Sequence, residues 1–229
     1  MKRIVILQSN YIPWKGYFDL ISMAHEFIFY DEVQYTKNDW RNRNKIKTPT
    51  GLHWLTIPAK QEFLAQRILD TKVMDDKWRK KHFQTIRQFY SKAACFTDEI
   101  EFIENLYATC TFDSISEINY HFISRIAAHL GIATKLSWSQ DYGLVEGKTE
   151  RLVDLVQKAG GTEYLSGLAA KDYLDLSLFE AVGIEVKWAD YSGYSEYPQV
   201  HPPFEHGVSI LDLLLNTGPE AKQYLKSII

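Results

Sequence analysis

A strand-helix-strand unit at the start of the chain constrains the fold more than any other feature. Ile4-Val-Ile-Leu7 is short, β-branched and bounded by polar residues, the pattern of a strand buried on both faces. Beyond Asn10 and Pro13, the apolar residues Phe18, Leu20, Ile21 and Met23 between Gly16 and Ala24 fit a helix, and Glu26-Phe-Ile-Phe-Tyr30 reads as a second strand. Such a unit is expected to be parallel and right-handed. It brings the carboxyl ends of its strands to one edge of a sheet.

A third strand is expected over Leu52 to Ile57, ended by Pro58. The middle of the chain is helical by spacing. Asp75-Asp76 precedes a face of Trp78, Phe83, Ile86 and Tyr90; Thr97-Asp-Glu starts a second helix with Ile100, Ile103 and Tyr107; Ser114 starts a third that Gly131 closes. Helix-Gly-strand order then returns. Lys135 to Trp138, Glu163 to Ser166 and Ile184 to Trp188 read as strands, and Thr149 to Ala159 and Asp172 to Val182 as helices. Ser209 to Leu215 and Pro219 to Ile228 form two expected short helices. The expected class is α/β: a Rossmann-like, mainly parallel sheet with helices on both faces and a helical insertion in the middle of the chain, about residues 72–131. At 229 residues this fits one domain.

A formal net charge of -3 gives no whole-molecule attraction to nucleic acid or anionic lipid, so phosphate recognition must come from a local patch. The two cysteines, Cys95 and Cys110, make no paired metal spacing and read as buried thiols. No run approaches the roughly twenty apolar residues of a transmembrane segment, and the apolar start is too short for a signal peptide core. The chain is therefore expected in the cytoplasm. Aromatic residues make up 14%, with six Trp and fourteen Tyr, and many stand beside polar residues. That suits pockets for sugars and other polar rings, although core packing is the commoner use.

Ligands of an open parallel sheet bind beyond the carboxyl ends of its strands, and three polar clusters fall in connecting segments. Gln8-Ser-Asn-Tyr-Ile-Pro-Trp-Lys-Gly16 offers an amide, a phenol, an indole and an ammonium at a helix start, where Lys15 favours an anion. A capped turn is the alternative. The second cluster, Asp31 to Lys47, carries Lys37, Arg41, Arg43, Lys45 and Lys47 interleaved with Tyr35, Trp40, Asn42 and Asn44. Such a run can hold a diphosphate while an aromatic stacks on a ring; a solvated basic loop is its plain reading, and single-stranded nucleic acid a lesser one. The third, His201-Pro-Pro-Phe-Glu-His-Gly207, matches no zinc spacing, so no metal is expected, and one histidine is read as an acid or base.

Gln8-x-Asn-Tyr-x-Pro-Trp-x-Gly-Tyr-Phe-Asp19, Asp31-x-Val-Gln-Tyr35, Asp39-Trp-Arg-Asn-Arg-Asn-x-Ile-Lys47 and Trp54-Leu-Thr-x-Pro58 resemble the WbqC-like protein family, as do Tyr164-Leu-Ser-Gly167 and His206-Gly-x-Ser-Ile-Leu-Asp-Leu-Leu-x-Asn-x-Gly218. The resemblance implies a place with bacterial O-antigen and other surface-polysaccharide genes, and transfer of glycine to a sugar. The opening is also similar to that of pantothenate synthetases and related adenylating enzymes, with Trp14 and Tyr17 where those carry histidines. Together these imply an acyl or aminoacyl transferase, or an amide-forming ligase, acting on a nucleotide- or lipid-linked amino sugar, with ATP or an activated glycine donor as co-substrate. Nucleic acid would enter only if aminoacyl-tRNA is that donor. A non-catalytic sugar-nucleotide or partner-binding protein is the rival reading. In the enzyme reading Arg41, Arg43, Lys45 and Lys47 hold phosphate, Trp14, Tyr17 and Trp40 pack on the sugar, and Gln8 and Asn10 orient it. Tyr11, Lys15, Gln34, Lys37 and Asp39 complete the expected binding set, and Asp31 or His206 is the expected base.

Overall fold

A computed structural model describes residues 1–227. Five parallel strands form the central sheet: β1 (Arg3–Leu7), β2 (Glu26–Phe29), β7 (Lys135–Trp138), β8 (Glu163–Ser166) and β9 (Glu185–Trp188), in the order β7-β2-β1-β8-β9. Taken by chain order, the five run 3-2-1-4-5, the Rossmann arrangement, and the direction of winding reverses between β1 and β8. Alternation along β1 assigns the faces. Val5 joins a core that holds α1 (Lys15–Met23), α2 (Lys77–Tyr90), α3 (Phe96–Ala108), α4 (Ile115–His129) and α7 (Ile210–Thr217); Ile4 and Ile6 face α5 (Thr149–Lys158) and α6 (Leu176–Glu180). Helices therefore cover both faces. Phe27 and Phe29 are fully buried, each worth roughly 2–3 kcal/mol of transfer free energy.

At the amino edge, the Glu26 carboxylate is buried but paired with Lys2 Nζ and Lys135 Nζ, each at 2.9 Å, and accepts a bond from Ser137 Oγ at 2.8 Å. Burial works against its ionisation, but the bonds from Tyr142, Lys135, Lys2 and Ser137 win and hold it down to about 2. That clamp joins β1, β2 and β7 at the end opposite the candidate site.

The structure departs from the sequence reading in four places. The basic run is a strand, β3 (Arg43–Thr48), hairpinned antiparallel to β4 (Gly51–Thr56), so the strand expected at Leu52 to Ile57 stands outside the central sheet. Alternate residues of β3 turn inward to bury Asn44 and Ile46, and local charge density alone hides that period. A second ribbon, β5 (Ala59–Lys60) with β6 (Lys72–Val73), leads into the helical section. The helix expected over Asp172 to Val182 is a 3₁₀ turn (Leu168–Asp172) followed by the short α6, which Asp175 caps through Oδ1 and Ser177 N at 3.0 Å. The tail after Gly218 is a 3₁₀ segment to Tyr224, because Pro219 at its start and Leu225 in an extended conformation at its end bound it; Ile228, at the end of that expected helix, lies outside the described residues.

Candidate functional site

The segment after β1 is held open by bonds to three other elements. Ser9 N donates to Asp31 Oδ1 at 2.8 Å, and Asn119 Nδ2 of α4 donates to Ser9 Oγ and to the Arg41 carbonyl, both at 2.9 Å. Three residues after Ser9, Ile12 takes φ 35°, a conformation a β-branched residue adopts at a cost of roughly 1–3 kcal/mol. Asn44 Nδ2 secures it by donating to the Tyr11 and Ile12 carbonyls at 3.0 and 2.8 Å. The start of α7 adds two more ties, from Ser209 N to the Lys45 carbonyl and from Ile210 N to the Pro13 carbonyl, each 2.9 Å. These ties carry His206, three residues before Ser209, to the mouth of the β1–α1 loop.

There a cavity of about 340 Å³ is lined by Asn10, Pro13, Trp14, Trp40, Asn44, His206 and Gly207. Trp14 folds its indole back over Gly16, where any Cβ would overlap the ring, and packs against Tyr191 and Tyr194 with centroids 5.4 and 5.6 Å away. Trp40 is 39% exposed and tilts against Trp54 at 5.4 Å. Arg43 lies 4.1 Å from the Trp54 ring, and Lys45 Nζ is 5.6 and 5.0 Å from Trp40 and Trp54, so cations and indoles alternate beside the cavity. His206 Nδ1 is buried and has no hydrogen-bond partner among the described residues. Burial, then the nearby Lys15 ammonium, pushes its imidazole below the ordinary range despite Glu196 and Glu205. That shift favours the neutral imidazole, the form able to take a proton.

Of the residues expected in the site, Asn10, Trp14, Trp40 and His206 meet in this cavity, with Arg43 and Lys45 alongside. Gln8 lines a second cavity, described below. Others are placed elsewhere. Tyr11 is fully buried, its hydroxyl bonded to His82 Nδ1 at 2.9 Å and to Tyr107 at 2.7 Å; burial pushes His82 down to about 4. Tyr17 is buried too and donates to the Gln8 carbonyl at 3.0 Å. Lys15 is 3% exposed beneath the Tyr194 and Tyr197 rings, at 4.9 and 5.1 Å, and donates to the Ser195 carbonyl at 3.0 Å. Its burial lowers it to about 8, against the pull of Asp19 and Asp212. Lys47 is buried with its ammonium on the Pro203 carbonyl.

Arg41 is committed to the scaffold. Its Nη1 donates to the Ser9 carbonyl at 3.2 Å and to Asn10 Oδ1, and Nη2 is 3.8 Å from Asp39 Oδ2. Asp31, 2% exposed, accepts from Ser9 N and from Ser116 Oγ at 2.5 Å; burial raises it, opposed by those bonds and by Arg41, and it lines no described cavity. Gln34 and Lys37 are exposed and line none either. Sequence reasoning left Asn44 and Gly207 out of the binding set. The two-residue period of Arg-Asn-Arg-Asn was the signal for Asn44.

A second cavity, of about 410 Å³, opens at the winding reversal, between the ends of β1 and β8. Gln8, Tyr30, Lys148, Arg151, Gly167 and Tyr173 are among its walls. Since Gln8 and Asn10 are two residues apart, at most about 7 Å separates them. The two cavities thus flank one short strap.

This is a Rossmann-like α/β protein with two ligand-sized cavities at the carboxyl edge of its sheet, the usual binding edge of that class. The chain belongs to the WbqC-like protein family, whose model matches residues 8–224. It is 46% identical over 227 residues to the uncharacterized protein Rv1507c of Mycobacterium tuberculosis, a match that covers 99% of this chain and 98% of that one. No solved structure matches the chain.

Proposed function

We propose that the protein is an enzyme of bacterial surface-polysaccharide assembly that transfers glycine, or another small aminoacyl group, to the amine of a nucleotide- or lipid-linked amino sugar. One observation carries this reading: the His206 imidazole, pushed toward its neutral form and with no partner for Nδ1 among the described residues, lines a cavity with Trp14, Trp40, Asn10 and Asn44. Indole faces pack on the apolar face of a sugar ring, and the Asn10 amide, its Oδ1 held by Arg41, offers Nδ2 to the hydroxyls, while Asn44 is spent on the Tyr11 and Ile12 carbonyls. Arg43 and Lys45, held in place by the indoles, offer charge to a phosphate outside.

The sugar amine then attacks the carbonyl carbon of an aminoacyl donor activated as an ester or mixed anhydride. The His206 imidazole takes the proton the amine loses as the new C–N bond forms, and the activating group leaves with the electrons of its C–O bond. Asp31, saturated by Ser9 and Ser116, acts in this scheme as a clamp on the β1–α1 loop.

The test is mass spectrometry of a UDP-linked amino sugar incubated with the protein and glycine, with ATP in one arm and glycyl-tRNA in another. A glycyl mass gain in either arm supports the transferase and identifies its donor. Tight sugar-nucleotide binding without a gain in any arm makes the protein a binding module instead.

A further inference from the structure

The cavity between β1 and β8 has no part in the chemistry above, and its position and walls point to a ligand of its own. In a doubly wound sheet the two crossovers leave in opposite directions at the reversal, so their loops splay apart and leave a crevice there. Dinucleotide-binding proteins of this topology rest a pyrophosphate on the helix after β1, using a Gly-rich turn. Here that route is closed. Ser9 N is spent on Asp31, Tyr11 N on the Trp40 carbonyl, and Trp14 covers the start of α1.

Positive charge stands across the crevice instead. Lys148 immediately precedes α5; it is exposed and makes no ion pair or hydrogen bond among the described residues. Arg151, in the first turn of α5, is half-buried and anchored, with Nε donating to the Val145 carbonyl at 2.9 Å and Nη1 to Tyr30 Oη at 3.4 Å. Its Nη2 makes no hydrogen bond or ion pair among the described residues. A guanidinium fixed on one edge and open on the other is suited to a phosphate oxygen. The phenol rings of Tyr30 and Tyr173, the latter 63% exposed, supply faces for a planar ring, and Gly167 leaves the end of β8 without a side chain.

We propose that this crevice binds a nucleoside phosphate, its phosphates on Lys148 and Arg151 and its base on the Tyr30–Tyr173 side. The occupant is a ligand distinct from the sugar beside His206. The strap from Gln8 to Asn10 is short enough that a group carried on such a nucleotide reaches the other cavity.

Calorimetry with ADP, adenosine and pyrophosphate tests the inference on the full chain. Expected results are ADP binding at least tenfold tighter than adenosine or pyrophosphate alone, and weakening of at least tenfold in Lys148→Ala and in Arg151→Gln. Lys148→Ala touches no packing, so it remains informative should Arg151→Gln fold poorly. Lys92→Ala, at an exposed lysine that lines neither cavity, is expected to leave ADP affinity unchanged. Absence of ADP binding, binding indifferent to both crevice variants, equal binding of adenosine, or equal weakening by Lys92→Ala overturns the proposal. Glycyl transfer is read separately by mass, so either conclusion can fail without the other.

Discussion

His206 concentrates the chemistry at the scale of one residue. Burial and the ammonium of Lys15 both disfavour its imidazolium, so its proton is held less tightly than that of a free histidine, whose ordinary value is 6.5. A general base works when deprotonated. The rate is therefore expected to be constant near neutrality and to fall as pH drops through an inflection below 6.5, and Lys15→Met, which removes one of the two causes, is expected to move that inflection upward. His206→Asn is expected to lower kcat by about 10²–10⁴ with a smaller change in KM for the sugar. A pH–rate profile settles both expectations: an inflection unmoved in Lys15→Met, or full rate in His206→Asn, removes His206 from the role of base. The histidine was legible in the sequence because two imidazoles and a carboxylate crowd one short loop. The strain at Ile12 and the bonds by which Asn44 holds it were not, since a backbone dihedral set by a partner over thirty positions away leaves no local mark.

At the scale of an element, β3 explains why a single basic run contains residues with opposite fates. Arg43 and Lys45 turn out onto Trp40 and Trp54, Asn42 and Asn44 turn in, and Lys47, though in phase with the first two, is covered by the loop at Pro203. The presence of a cationic, aromatic surface was visible in composition. Its division was not, because burial of Lys47 depends on a loop more than 150 residues away, and the role of Arg41 depends on which carbonyls lie opposite it. The division yields a prediction. Arg43→Ala and Lys45→Ala are each expected to weaken a UDP-linked amino sugar about tenfold or more and to reduce the salt dependence of binding. Cation–π contacts of this exposure are worth roughly 0.5–1 kcal/mol, so melting temperature should move by no more than about 4 °C. Affinity unchanged in both variants assigns the phosphate elsewhere.

For the molecule as a whole, the parallel sheet and its helical cover were legible because the first two strands are short apolar runs, the later ones follow helix-Gly breaks, and the helices repeat at their own period. Strand order was not. Which strands become neighbours is decided by packing of α1 and α5 on opposite faces, and the winding reversal between β1 and β8 follows from that order alone. The same gap hid the Lys148–Arg151 crevice, since its walls come from four separate stretches of chain. What the whole fold adds is convergence: the β1–α1 loop, Trp40 with Asn44 of β3, and the loop before α7 close on one cavity from three directions. Transfer at His206 requires that cavity to be the sugar site. A crystal structure of the protein with a UDP-linked amino sugar tests this most directly. The expected result is the sugar ring between Trp14 and Trp40, its amine within about 3 Å of the His206 imidazole and its diphosphate beside Arg43 and Lys45. A sugar bound outside this cavity, or one inside it with the amine turned away from His206, contradicts it.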